Sequence, residues 1–511
     1  VTDRRIERRF RRSRPTGRDL AVFVDYLCGH EGMKSDDAWL RALQRRELDP
    51  RERRLAMEIA YGSMRRRRTL DWCIERAAGR PVGKIDPVAL SILRTAAYQL
   101  LFMSRVPAYS AVSEAVESAR NLTHKGIASF VNAVLRRISA PDFDPAYPDP
   151  ECDPVGYLEI SQSYPRWIVE EWVQRFGFDT AQRMLEAGNR QPQVVLRVNA
   201  ARTTVDELEA QLQREGFACS RGRYVPEVLY IESGIESVES LPGYSEGLFA
   251  VQDESSMLVA YAMGAAVAAA AGATATTAPA TPAAPAAEGD AEGHAEAPVA
   301  ACRRENGRPL LFVDACSAPG GKATHMATLG GDCVRVEAYD VSARRLESVR
   351  DSVKRLRLTN VTAYQLDARN LPQRHVGDVD ALLVDAPCSG LGVLARRPDA
   401  RWRQTPENRS ELVRLQAEIL DAAAKCVAPG GTLIYSTCTV SEPENEGQVE
   451  KFIAQHPEFE PAPLAPLMPT ESARSLVGDG PGGWRVQLIP GVHGVDGFFI
   501  ARMRRVPNIH G

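Results

Sequence analysis

Two cysteines stand in settings that favour reactivity. Cys388 lies in Asp385-Ala386-Pro387-Cys388-Ser389-Gly390 and Cys438 in Ser436-Thr437-Cys438-Thr439, each following an apolar run that reads as a strand. A single cysteine is more often an inert buried residue than a reagent. Two at the carboxyl ends of strands, one beside an aspartate, fit nucleophilic catalysis better. Such a pair could add a thiolate to carbon 6 of a cytosine ring. Carbon 5 then belongs to an enamine and can accept a methyl group, and loss of its proton expels the thiolate. The thiol must ionise first, so its free pKa of about 8.5 has to be lowered by positive charge or hydrogen bonding. Asp385 could hydrogen-bond the ring nitrogen that gains charge, and the base must leave its stack to reach the pocket. Spacing alone does not rank the two cysteines.

A second constellation precedes them. A strand Leu310-Leu311-Phe312-Val313 runs into Asp314-Ala315-Cys316-Ser317-Ala318-Pro319-Gly320-Gly321-Lys322, with a helix expected from about Ala323. Paired glycines permit backbone angles and close approach that a side chain forbids, and a helix start offers free N–H groups to a carboxylate. A tight strand-to-helix turn would use the same glycines. Asp340 ends the next strand twenty residues after Gly320, where α/β nucleotide sites hold a ribose. Asp367 follows the third strand and Asp385 ends the fourth. Helix caps and turns also favour aspartate, but three at successive strand ends read as a ligand-lined edge. A phosphate-binding Walker loop is disfavoured, because no G-x-x-x-x-G-K-[ST] occurs.

The elements that must carry these residues form a regular alternation. Strands near Val334–Tyr339, Val361–Leu366, Ala381–Val384 and Thr432–Tyr435 are separated by helical segments such as Ala343–Leu356 and Leu412–Val427. Near-continuous apolar strands between helices predict a mostly parallel sheet covered on both faces, with ligands at the strand carboxyl ends. The first ~140 residues read as all-helical by hydrophobic period. Ile127, Phe130, Val131, Val134, Leu135 and Ile138 line one helix face, and Leu93, Ala97, Leu100 and Leu101 repeat the pattern. Pro141, Pro145, Pro148, Pro150 and Pro154 then mark a linker. From about Tyr157 to Gly247, helices alternate with short strands such as Val194–Val198, which indicates a small α+β unit. An Ala/Pro/Thr/Glu-rich tract from Gly264 to Pro309 has the composition of a disordered insertion.

Composition narrows the class. A chain of 511 residues with 44% hydrophobic and 25% charged residues is an ordinary globular protein of two or three domains. The net charge of -3 conceals arginine runs, at Arg4, Arg5, Arg8, Arg9, Arg11, Arg12 and Arg14 and again at Arg65-Arg66-Arg67-Arg68, which suit phosphate contacts or a solvated face. The ten cysteines form no C-x-x-C pair, so neither a zinc site nor a disulfide framework is expected. The apolar stretch Leu258 to Ala273 is mostly alanine and glycine and is soon followed by prolines, which argues against a membrane span. Cytoplasm is the expected compartment, since the arginine-rich start lacks a signal-peptide core.

Taken together, Asp-Ala-Cys-Ser-Ala-Pro-Gly-Gly-Lys at 314–322, Asp-Ala-Pro-Cys-Ser-Gly at 385–390 and Ser-Thr-Cys-Thr at 436–439 resemble the signatures of the RsmB/Sun (Fmu) family of 16S rRNA 5-methylcytosine methyltransferases. The resemblance spans nearly the whole chain. It implies a NusB-like all-helical RNA-binding domain over 1–145, ending in Phe130-Val131-Asn132-Ala133-Val134-Leu135-Arg136-Arg137. A ferredoxin-like α+β domain follows over 155–247. A Rossmann-type α/β methyltransferase domain over 248–505 closes with Asp496-Gly497-Phe498-Phe499 and carries the insertion at 264–309.

Residue by residue, the family's pattern implies that Cys316, Ser317, Ala318, Pro319, Gly320, Gly321 and Lys322 form an S-adenosyl-L-methionine loop. Asp340 would hold the ribose, Asp367 would lie near the adenine, and Asp385 near the sulfonium and the base. Cys438 would be the nucleophile and Cys388 would assist product release. The implied partner is 16S ribosomal RNA, bound by a monomer without metal or membrane. Ser317 departs from the alanine common in the family, a change that removes no chemical group. A DNA cytosine methyltransferase is disfavoured, because it attacks with the Pro-Cys cysteine and has no use for Cys438. A noncatalytic RNA-binding or antitermination factor would have no reason to keep both cysteines and every cofactor aspartate.

Overall fold

The computed structural model describes residues 16–43, 49–232, 235, 237–275, 307–478, 480 and 482–507. The arginine run at 4–14 and most of the Ala/Pro-rich tract lie outside the described residues. Compactness divides the chain into two units. One comprises Val1–Pro192, Val393–Gln404 and Pro490–Val492, and the other Gln193–Gly392, Thr405–Ile489 and His493–Gly511.

The described part of the first unit is helical, with helices Gly17–Gly29, Ser35–Leu43, Pro50–Arg65, Arg67–Ala78, Pro87–Phe102, Ala108–Leu122 and Lys125–Ile138, then Pro154–Gln162, Arg166–Phe176 and Phe178–Asn189. The hydrophobic period sets which faces are buried. Helix Lys125–Ile138 turns Ala128, Val131, Val134, Leu135 and Ile138 into the core, where truncating a residue such as Leu135 to alanine costs about 2–5 kcal/mol. Leu93 and Ala97 are buried as expected, but Leu101, in the last turn of its helix, is 38% exposed. Pro154 begins a helix instead of ending the linker. Its missing N–H is harmless at the first helical position, and Asp153 accepts the Gly156 N–H at 2.9 Å as cap.

The second arginine run is engaged inside this unit. Arg65 donates to Ala395 O at 3.0 Å and Arg66 to Ser161 O at 3.2 Å. Arg67 lies over the Trp402 ring, and Arg68 pairs with Glu159 at 2.8 Å. The segment Val393–Gln404, close in sequence to Cys388, thereby belongs to the helical unit. Its Arg401 is fully buried and donates to Arg65 O, Ser163 O, Gly188 O and Asn189 Oδ1. These acceptors lie at the carboxyl ends of three helices, where helix dipoles favour a cation.

The second unit holds two sheets. Strands β1 (Val194–Val198), β2 (Cys219–Arg221), β3 (Val228–Ile231) and β4 (Phe249–Val251) pair antiparallel in the order β2-β3-β1-β4. Eight strands build the larger sheet: β5 (Leu310–Asp314), β6 (Val334–Asp340), β7 (Val361–Gln365), β8 (Val379–Asp385), β9 (Val427–Thr437), β10 (Phe459–Pro461), β11 (Arg485–Leu488) and β12 (Phe498–Arg505). Their order is β10-β12-β9-β8-β5-β6-β7, with β11 against β12. Strands β5 to β9 are parallel and β12 is antiparallel to β9. Because β6 and β8 flank β5 on opposite sides, the chain reverses its winding at β5, which opens a crevice at the strand carboxyl ends.

Two features extend the sequence reading. Strand β9 starts at Val427, so Pro429-Gly430-Gly431 lie within it, where the register skips from Val379↔Val427 to Ala381↔Thr432. Helix Glu254–Ala275 carries the chain past Gly264, which corrects the expectation of a disordered insertion from that residue and agrees with the helix preference of alanine. Among the described residues no helix is long and apolar enough to cross a membrane.

Candidate active site

The loop after β5 is shaped by one glycine more than the other. Gly320 has φ 101° and caps helix Gly321–Gly330 without any side-chain hydrogen bond, leaving the first N–H groups of that helix to a ligand. A Cβ at Gly320 would also meet Val349 Cγ1 at 3.1 Å, whereas one at Gly321 would make ordinary contact with Gln252 at 3.5 Å. An uncapped helix start approached by bare backbone fits the carboxylate of an amino-acid-bearing cofactor. Cys316 does not suit nucleophilic chemistry, since burial and then the charges of Asp314, Asp385 and Asp340 push its thiol well above the ordinary value.

The aspartates at the strand ends are held differently. Asp340 is buried and accepts Ser342 N at 2.9 Å and Ala318 N at 3.3 Å, with Arg345 at 3.2 Å. It therefore steadies the loop bearing Ala318, with part of its acceptor capacity left for a hydroxyl. Asp367 is more open. Arg369 grips it at 2.7 Å, and that side-chain hydrogen bond is the main cause that holds its carboxyl below the ordinary value.

Asp385 joins the loop to the cysteines. Its Oδ2 accepts Lys322 Nζ at 2.7 Å and its Oδ1 accepts Ser436 Oγ at 2.9 Å. Burial opposes the charge of Lys322, but the charge and hydrogen bond of Asp385 outweigh it and hold the ammonium above the ordinary lysine value. Asp314, at the end of β5, shares this environment. Burial, then the Asp385 charge, pushes its carboxyl up to about 7 against the pull of Lys322.

The two predicted cysteines come together. Their sulfurs lie 3.3 Å apart, a hydrogen-bond contact and not a disulfide. The hydrogen bond to Cys438, then burial, holds the Cys388 thiol well above the ordinary value. Either sulfur can be the donor of this contact, so the pair shares a proton between them. The Cys388 loop closes back on its partner: Gly392 N donates to Cys438 O at 3.0 Å, and Gly497 N donates to Gly392 O at 2.8 Å. A Cβ at Gly392 would fall 2.2 Å from Gly497 O, so only glycine permits this approach.

Sequence reasoning missed several groups that shape the site. Arg197 on β1 is buried and donates to Gly321 O at 2.5 Å, to Thr324 Oγ1 at 3.0 Å and to Gln252. Its burial depresses the guanidinium to about 9. Asp314 lies within the loop motif, where the sequence does not distinguish its buried carboxyl from the strand-end aspartates. Glu444 accepts both the backbone and the hydroxyl of Ser389. Such partners are far apart in sequence and belong to no spacing rule, although a carboxylate six residues past Cys438 was a visible hint. Among the described residues no group of His, Cys, Asp or Glu could hold a metal ion.

Comparison with known proteins follows the same division of the chain. The pattern of the 16S rRNA methyltransferase RsmB/F family matches residues 303–504. Those of the NusB family and of the RsmF/B-like ferredoxin-like domain match residues 17–140 and 164–237. The probable ribosomal RNA small subunit methyltransferase B of Bacillus subtilis (strain 168) is 33% identical over 463 residues, covering 90% of this chain and 92% of that protein. Among solved structures, PH0851 has a TM-score of 0.72 at 24% identity, covering 96% of this chain and 99% of that one. NSun6 from Pyrococcus horikoshii with SFG, an S-adenosylmethionine analogue, has a TM-score of 0.52 at 23% identity and covers 69% of this chain and 100% of that one. At these identities the two structures speak for the fold.

Proposed function

The chain belongs to the RsmB/F family of 16S rRNA methyltransferases, and on that premise we propose that it transfers a methyl group from S-adenosyl-L-methionine to carbon 5 of a cytosine in 16S ribosomal RNA. Its NusB-like helical domain, ferredoxin-like domain and mostly parallel methyltransferase domain are those of the family. We place their limits near 1–145, 155–247 and 248–505, in a protein that acts as a cytoplasmic monomer.

The observation that carries the chemistry is the 3.3 Å contact of Cys388 and Cys438 beside the Lys322–Asp385 pair. Cys438 is the nucleophile toward carbon 6. A thiolate at Cys438 would interact favourably with the Lys322 ammonium, which supplies the positive field that such a thiolate requires. Asp385, held as an acceptor by Lys322 and Ser436, orients the base by accepting from its exocyclic amino group. S-adenosyl-L-methionine supplies the electrophilic methyl. Residues Cys316 to Lys322 hold its amino-acid end against the uncapped helix start, with Asp340 toward the ribose and Asp367 toward the adenine. Cys388 serves the elimination: once its own proton has passed to solvent, its thiolate takes the carbon 5 proton as the bond from Cys438 to carbon 6 breaks, which frees Cys438 and releases the methylated base. Charge outside the described residues, at Arg4 to Arg14, remains a candidate for RNA phosphates.

Bisulfite sequencing of 16S ribosomal RNA from cells lacking this protein tests the substrate. Loss of one 5-methylcytosine is expected, and an unchanged pattern contradicts the proposal.

A further inference from the structure

A buried carboxylate ties the loops of the two cysteines together. Glu444 has no exposed surface and ends the short turn Glu442–Glu444 after Cys438. Its Oε1 accepts Ser389 N at 2.8 Å and Gln416 Nε2 at 3.1 Å, and its Oε2 accepts Ser389 Oγ at 2.5 Å. All three donors are neutral, so this buried charge is satisfied by oriented dipoles instead of a counter-ion. Burying a carboxylate that way is costly unless every bond is made.

The donors identify what that cost secures. Ser389 follows Cys388, and its hydroxyl also lies 2.8 Å from the hydroxyl of Thr439, which follows Cys438. Ser389 has one hydroxyl proton and gives it to Glu444, so it must accept from Thr439. Thr439 Oγ1 in turn accepts Ser441 N at 3.3 Å. A one-way chain thus runs from Ser441 through Thr439 and Ser389 to Glu444, parallel to the sulfur contact and one residue away on both loops. Gln416 Nε2 adds a bond to Pro387 O at 2.9 Å, on the other side of Cys388. The neighbouring Asn445 holds the Cys438 side, accepting Thr437 Oγ1 at 2.6 Å and donating to Thr439 O at 3.1 Å.

We propose that Glu444 is a positioning residue that keeps Cys388 in register with Cys438 through Ser389 and Thr439, and so governs the step in which Cys388 frees the product. The catalytic half of this proposal rests on the function proposed above, while the geometric half does not. Glu444→Gln replaces two acceptor oxygens facing three donors with an amide that must turn its NH2 group toward at least one of them. Ser389→Ala removes the hydroxyl link and leaves the carboxylate. Neither group touches the reacting atoms.

Two readouts test it on the full chain. Diamide takes up the two electrons and two protons that a pair of thiols gives up on forming a disulfide, and peptide mass spectrometry reports the rate for Cys388–Cys438 without RNA or cofactor. Both variants should slow that cross-link by on the order of 10-fold or more, as for a misplacement near 1 Å. With unmodified 16S RNA and S-adenosyl-L-methionine, steady-state turnover should fall by a similar factor, and the first turnover by under about 3-fold. A purely structural role would lower both phases alike and leave the cross-linking rate of the folded fraction unchanged, and that result overturns the proposal. Slowed cross-linking together with no covalent complex between the wild type and 5-fluorocytosine RNA would sustain the positioning role and refute the covalent mechanism instead.

Discussion

Lys322 Nζ stands 2.7 Å from Asp385 Oδ2, joining the helix that follows the β5 loop to the end of β8. The pair makes the glycine loop and the cysteine loops one electrostatic unit. Lys322→Met would remove the charge near Cys438 and leave Asp385 without its cation. Methyl transfer is expected to fall by about 100-fold or more. Turnover within about 3-fold of wild type, with folding intact, would remove Lys322 from the mechanism.

The two loop glycines should behave differently. Gly320→Val places a branched side chain at φ 101° and against Val349. A loss of at least about 1–2 kcal/mol of stability and of cofactor binding is expected. Gly321→Ala meets only Gln252 at 3.5 Å, so the fold should persist, and calorimetric titration with S-adenosyl-L-methionine then reports the space between backbone and ligand alone. Unchanged affinity in both variants would rule out this loop as the cofactor site.

Asp314 gives a pH signature opposite to that of a salt-bridged carboxylate. Its folded pKa of about 7 lies above the ordinary value of 3.8, so the native state binds the extra proton between those limits. Stability is then present below pH 4 and is lost as pH rises toward 7. Asp314→Asn should match wild type near pH 4 and be more stable at pH 8 by up to about 4 kcal/mol. Equal thermal melting points at both pH values would contradict the assigned shift.

Arg401 is predicted to be a stability determinant of the helical unit. Arg401→Met deprives carbonyls at three helix ends of a charged donor, with an expected loss of about 3 kcal/mol or more in chemical denaturation. A change below about 0.5 kcal/mol would mean that the buried guanidinium is offset by its own desolvation. Deleting residues 1–140 removes Arg65 and Met64, the partners of Arg401 and Trp402. The deletion therefore exposes buried groups as well as affecting RNA affinity.

Much of this was legible in the sequence because it is local. The period of Val131, Val134, Leu135 and Ile138 is a property of one helix, and the ends of β5, β6 and β8 follow from apolar runs closed by Asp314, Asp340 and Asp385. The meeting of Cys388 and Cys438 follows from β8 and β9 being parallel neighbours; the alternation of strands and helices implied the parallel sheet, but not which strands lie side by side. What escaped depends on long-range contact. Arg65 to Arg68 look the same in sequence whether they face phosphate or a carbonyl such as Ala395 O, and only tertiary packing decides. Strands β10 and β11 are too short to leave a period. Arg197 and Glu444 reach residues 124 and 55 positions away, beyond any motif.

In the proposed mechanism Cys438 attacks the base and Cys388 acts afterwards. RNA carrying 5-fluorocytosine blocks the final elimination, so the attacking sulfur stays bonded to carbon 6. With this RNA and S-adenosyl-L-methionine, the wild type should give a covalent complex whose nucleotide maps to the peptide of Cys438. Cys438→Ala should give none, whereas Cys388→Ala should still form the adduct and accumulate it even on ordinary RNA. An adduct mapped to Cys388, or no adduct from an enzyme that methylates the same RNA, would contradict the account.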